Sequence, residues 1–157
     1  MPPDSLVPRG RLELRLGICS ERGARPRNED FAAAWLGEAG RRGAVAALAD
    51  GIGGARGGRV AAELAVRGLI DGLLGQSEAL PVRRTAGCAI EAMNGWIHAK
   101  GRSDPELAGM GCTLTAVVLR GRRMHLLHVG DSRLYRFRDG LLAREASALG
   151  ERSGLPA

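Results

Sequence analysis

Ala44–Ala49 is an unbroken apolar run of six residues that ends directly in Asp50 and a glycine-rich loop, Gly51 to Gly58, before a long amphipathic pattern begins. A run of that length suits a strand buried on both faces, although its alanines leave a helix open. Beyond the loop, Val60, Leu64, Leu69, Ile70, Leu73 and Leu74 recur at three-to-four spacing, with Glu63, Arg67 and Asp71 between them. That period predicts an amphipathic helix ending near Gly75. A second helix is expected from about Val82 to Ala99, with Cys88, Ile90, Met93, Trp96 and Ile97 sharing a face, before Gly101 to Gly109 breaks the pattern.

Strand patterns flank these helices. Leu12, Leu14, Leu16 and Ile18 alternate with Glu13, Arg15 and Gly17, which reads as a half-buried strand. A polar loop from Ser20 to Asp30 leads to the apolar run Phe31 to Leu36 and a turn from Gly37 to Gly43. On the far side, Cys112 to Leu119 and Met124 to Val129 flank Arg120-Gly121-Arg122 and are expected to pair antiparallel. Leu134 to Arg138 and Leu141 to Ala143 flank Asp139-Gly140, a pair suited to a two-residue hairpin turn. Strands grouped at both ends with helices between them favour segregated α+β layers over an alternating doubly wound fold.

At 157 residues the chain is one domain, able to bury about two-thirds of its unfolded surface without metal or disulfide support. Cys19, Cys88 and Cys112 are odd in number and form no C-x-x-C pair, so neither a disulfide framework nor a zinc site is expected, and they read as small buried hydrophobes. No apolar run approaches the roughly 18 residues of a membrane span, and no charged leader precedes an apolar stretch, so no membrane partner and a cytoplasmic home are expected. The formal charge of +6 is carried almost wholly by arginine, since Lys100 is the one lysine. Those arginines fall in scattered pairs and only 3% of residues are aromatic, which argues against a nucleic-acid partner. Residues 1–10, which are Pro-rich and contain Leu6-Val7-Pro8-Arg9-Gly10, resemble a disordered segment or an engineered protease-cleavage site.

Acidic residues cluster in three places: Arg25-Pro26-Arg27-Asn28-Glu29-Asp30, Ala49-Asp50-Gly51-Ile52-Gly53-Gly54, and Gly130-Asp131-Ser132-Arg133. An Asp at the end of a buried strand, followed at once by glycines, sits where the backbone turns and exposes its carbonyls. Carboxylate and carbonyl oxygens are the ligands that magnesium and manganese prefer. An Asp-Gly pair equally serves as a turn or helix cap, so any one cluster leaves both readings open. A dinucleotide-binding loop fits less well. Gly51-x-Gly53-x-x-x-Gly57 misses the fingerprint by one residue, and Asp50 would face the pyrophosphate.

Together with Gly111-Cys112-Thr113 opening a strand and Tyr135 after the third cluster, these motifs resemble, in order, those of the protein phosphatase 2C family of metal-dependent Ser/Thr phosphatases, in bacterial style. The resemblance runs from about Gly17 to Glu145 and defines a phosphatase-like domain over 11–145, the N-terminal portion of the family's pattern. It implies two antiparallel sheets packed as a sandwich flanked by helices, with two Mn²⁺ or Mg²⁺ ions and a possible third. By the family's pattern Asp50 bridges both ions and the Gly51 carbonyl ligates one. Glu29 and Asp30 hold metal-bound waters, Arg25 grips the substrate phosphate with Arg27 as a fallback, and Asp131 helps hold the third ion. Asp50 and Arg25 are thus the implied catalytic residues. A metal-activated water would attack phosphorus while the ions and Arg25 neutralise the phosphoryl oxygens. The implied partners are phosphoprotein substrates and, through them, a Ser/Thr kinase or its targets.

Two departures qualify the resemblance. Ala55 stands where bacterial relatives often carry His, and His98, His125 and His128 lie in no motif, so no histidine general acid is visible. After Glu145 the family continues into further strands and two more aspartates, whereas residues 146–157 resemble none of that. The expectation is therefore a domain incomplete at its C-terminus with a divergent tail. An impaired fragment or pseudophosphatase acting as a binding module is the alternative.

Overall fold

The computed structural model describes residues 13–37, 43–53 and 56–146. The segment 1–10, Leu12, the middle of the Gly37 to Gly43 turn, Gly54, Ala55 and the tail beyond Ala146 lie outside the described residues.

Four strands form the main sheet. They are β1 (Phe31–Leu36), β2 (Ala44–Ala49), β5 (Leu114–Arg120) and β6 (Arg123–Val129), all antiparallel, in the order β1-β2-β5-β6. Two short pairs accompany it: β3 (Gly51–Ile52) with β4 (Gly111–Cys112), and β7 (Leu134–Arg138) with β8 (Leu141–Ala146). Helix α1 (Gly57–Leu74) and helix α2 (Val82–Ser103) separate the two groups of strands in the chain. The expected α+β segregation follows, with antiparallel sheets and a helical layer.

The core lies between the sheet and α1. Antiparallel register puts Val45, Ala47 and Ala49 on the same face as Leu114, Ala116 and Val118, and all six are buried there against the helix. From α1, Ala61, Ala62, Ala65, Val66 and Leu69 reach that face, each 1% exposed or less. Small residues also set the helix–helix distance. A Cβ on Gly72 would lie 2.8 Å from that of Ala89 on α2, so the two helices meet where side chains are nearly absent.

The opposite face of the sheet is also apolar, carrying Leu36, Leu48, Val117, Leu119, Met124 and Leu126. Among the described residues it is only partly covered, and Leu48 is 42% exposed. Burial of Ala44–Ala49 on both faces is therefore complete only on the helix side.

Four local expectations are corrected. Leu14, Leu16 and Ile18 do not form a strand: the segment finds no ladder partner among the described residues, and Leu16 and Ile18 are exposed. Alternation selects a face, but a strand also needs a neighbour to take its backbone hydrogen bonds. The expected continuous strand from Cys112 divides at Thr113 into β4 and β5, because the chain passes there from one sheet to another. On α2, the buried face is Val82, Thr85, Ala86, Ala89 and Ile97, while Cys88 and Trp96 point outward. Cys19 is exposed as well and Cys112 only half-buried, so the cysteines are not a buried set.

Turns behave as their sequences require. Asp139 and Gly140 adopt φ of 51° and 77°, the two positive values that a tight hairpin turn of this kind needs. No described helix is long and apolar enough to cross a membrane.

Candidate active site

The ladder itself creates the acidic centre. Phe31 pairs with Ala49, so the next residues outward, Asp30 and Asp50, face each other at the same end of β1 and β2. The 21–30 loop folds over this end. Together they bound an open cleft of about 370 Å³ lined by Glu21, Arg22, Arg25, Pro26, Arg27, Asn28, Glu29, Asp30, Asp50 and Gly53.

Two like charges opposite each other across strands repel. Partial burial of its carboxyl raises the pKa of Asp50, and so do the charge of Asp30, a hydrogen bond with the Asp30 carboxyl, and the charge of Asp131; Arg25 pulls it down. Asp50 keeps access to solvent, so water moderates all of these effects. The same interactions bring Arg25, Asp30, Asp50 and Asp131 into one electrostatic neighbourhood.

Local chemistry fixes the loop. The Asp30 N–H donates to Asn28 Oδ1 at 3.0 Å, and Asn28 Nδ2 donates to Ser20 Oγ at 2.9 Å. Arg22 donates to the Pro26 carbonyl. From α1, Arg59 donates to the Asp30 carbonyl and lies over the Phe31 ring, 5.0 Å from its centre.

Glycines bring α1 close to this site. A Cβ on Gly51 would lie 2.1 Å from the Gly58 carbonyl oxygen, and one on Gly58 would lie 3.0 Å from Glu29 Oε2. Only glycine at both positions lets β3, the helix start and the Glu29 carboxylate share this space. Gly53, whose φ is 142°, carries the chain out of β3 beside Met110.

The structure thus gathers Arg25, Glu29, Asp30, Asp50 and Gly51 at one end of the sheet, with Asp131 close enough to act on Asp50. Arg27 lines the same cleft, but Arg25 is the arginine that acts electrostatically on Asp50. None of the histidines lines it: His98 lies on α2 and His125 and His128 on β6, where His128 Nδ1 meets Thr115 Oγ1 at 2.9 Å.

The donor set is oxygen only, and a pair of crowded carboxylates is what a hard divalent cation relieves. These residues fit such an ion through Asp50 and Asp30, whereas Gly51, next to Asp50 in the chain, is buried and does not line the cleft. Among the described residues no three acidic, histidine or cysteine side chains converge as a ready-made cation site. Asn28, Arg59, Thr113 and Ser132 brace these turns although the sequence patterns assign them no role; Asn28, Thr113 and Ser132 stand in the motifs, Arg59 does not, and the contacts of all four depend on folding.

Residues 20–150 match the family model described as Protein phosphatase 2C. The chain belongs to that family of phosphatases. Within it, the chain is 40% identical over 134 residues to the serine/threonine protein phosphatase PstP of Mycobacterium tuberculosis, covering 85% of this chain and 24% of that protein. The crystal structure of the Mycobacterium tuberculosis serine/threonine phosphatase PstP/Ppp superposes with a TM-score of 0.70 at 37% identity, covering 82% of this chain and 52% of the other. A structure of the PstP catalytic domain in complex with two manganese ions gives a TM-score of 0.69 at 38% identity, over 82% of this chain and 53% of that one. The chain therefore spans about a quarter of this curated relative and about half of the solved chains.

Proposed function

We propose that this chain is part of a metal-dependent protein serine/threonine phosphatase that hydrolyses phosphoserine and phosphothreonine. The observation that carries this reading is the convergence of Arg25, Asp30 and Asp50 at the open end of β1 and β2. The 40% identity to a named Ser/Thr phosphatase supports it and favours an enzyme over a binding module.

Asp50 and the Gly51 carbonyl would hold a pair of Mn²⁺ or Mg²⁺ ions; the catalytic domain of a relative is solved in complex with two manganese ions. When bound, such ions lower the pKa of water and offset phosphoryl charge. Asp30 and Glu29 orient water at the cleft wall, and Asp131 adds negative charge for a further ion. Arg25 supplies a planar fork that grips two phosphoryl oxygens and holds the ester in line for attack. With no histidine lining the described cleft, the departing oxygen takes its proton from the solvent to which the cleft opens. On this reading the substrates are cytoplasmic phosphoproteins made by a Ser/Thr kinase.

Hydrolysis of an aryl phosphate across a Mn²⁺ series tests this, beside Asp50→Asn. Metal-dependent turnover that the variant loses is the expected result. Turnover indifferent to chelation or to Asp50→Asn, or none from folded protein, overturns the reading for this chain.

A further inference from the structure

Thr113 sits where the chain leaves β4 for β5 and is 5% exposed. Its N–H donates to the Asp50 carbonyl at 2.9 Å, and its Oγ1 accepts the Asp50 N–H at 2.9 Å. One residue thus binds both backbone polar groups of Asp50, immediately before Gly51. The same Oγ1 meets Ser132 Oγ at 2.8 Å. After accepting from Asp50, Oγ1 keeps its own proton and a second lone pair, so either hydroxyl can donate in this contact.

The turn that carries Asp131 is seated on this residue. Gly130 has φ of 104°, and a Cβ there would lie 2.6 Å from Thr113 Cγ2. The Asp131 turn therefore packs directly against the methyl of Thr113, while Ser132 closes the contact through its hydroxyl.

We propose that Thr113 is a positioning residue that sets the separation of the Asp50-Gly51 turn from the Gly130-Asp131-Ser132 turn, and so the affinity of the cleft for divalent cations. The inference rests on the function proposed above for its consequence, but its geometry is independent of that reading. Thr113 touches no reacting atom. It acts through Asp50, by holding the backbone from which the carboxylate and the Gly51 carbonyl are presented, and through Ser132, by tying the second acidic turn to the first. Groups that orient metal-binding residues in this way typically affect affinity about 10- to 100-fold.

The test compares Thr113→Val, which keeps the shape and removes the hydroxyl, with Thr113→Ser, which keeps the hydroxyl. Two readouts are taken on folded protein: amide hydrogen exchange at Asp50 without metal, and Mn²⁺ affinity by electron paramagnetic resonance. Thr113→Val is expected to lose Asp50 protection and to weaken Mn²⁺ binding about 10- to 100-fold, with Thr113→Ser recovering most of both. Asp131→Asn should weaken binding less in the Thr113→Val background than in the parent. Unchanged Asp50 exchange in Thr113→Val overturns the proposal, as does unchanged Mn²⁺ affinity with protection lost. If the parent chain binds no Mn²⁺ while Asp50 protection depends on the Thr113 hydroxyl, the proposed function and the affinity role fail and only the structural tie survives.

Discussion

Replacing Asp50 by Asn should make the metal-free protein more stable while removing its response to metal. Asp30 and Asp50 are cross-strand neighbours, which puts their Cβ atoms roughly 5 Å apart, and two unit charges at about that distance repel by about 0.8 kcal/mol in water. Solvent access to both carboxylates keeps the effect near that value. The pKa of Asp50 is raised in the folded chain, so the native state holds more protons than the unfolded one above the ordinary carboxylate range. Stability of the metal-free parent therefore falls as pH rises from that range through the raised value. Asp50→Asn lacks this loss. At pH 8 in chelator its melting temperature should exceed the parent's by roughly 2–3 °C, and the gap should close below about pH 4. Mn²⁺ at about a hundred times its dissociation constant should add roughly 2.7 kcal/mol to the parent alone, reversing the order. Thermal melts at the two pH values, with and without Mn²⁺, measure all four states. A variant less stable than the parent in chelator at pH 8, or one stabilised equally by Mn²⁺, refutes the reasoning.

Arg25→Ala should lower kcat/KM for an aryl phosphate by about 100-fold or more with little change in melting temperature, whereas Arg27→Ala should have a smaller effect; equal effects in steady-state kinetics would dissolve the distinction between them. Gly72→Val forces a side chain into the 2.8 Å approach to Ala89, and urea denaturation should report a loss of about 1–3 kcal/mol or more. Leu69 is fully buried between helix and sheet, so Leu69→Ala should lose about 2–5 kcal/mol by the same measurement.

Local pattern was enough where an element's signal lay within it. Phe31–Leu36, Ala44–Ala49 and Leu134–Arg138 are strands with the bounds expected from their local sequence, and Asp139-Gly140 turns as its residue types demand. Pattern failed where a partner decides the outcome. Leu14, Leu16 and Ile18 alternate like a strand but have no described neighbour to pair with, and Trp96 has helical spacing but faces solvent because α1 meets α2 through Gly68 and Gly72 instead. At the site, the spacing of Arg25, Glu29, Asp30 and Asp50 suggested the family, and the β1–β2 register explains their convergence. The hold of Thr113 on Asp50 joins residues 63 positions apart and exists only once β3 has paired with β4. Nothing in either segment alone reports it.

Anomalous diffraction from crystals equilibrated with Mn²⁺ tests most directly whether Asp50 holds a divalent cation. Density is expected at coordinating distance from the Asp50 carboxylate and the Gly51 carbonyl, beside Asp30 and Arg25. Manganese bound elsewhere, with Asp50 contacting none of it, would contradict that expectation.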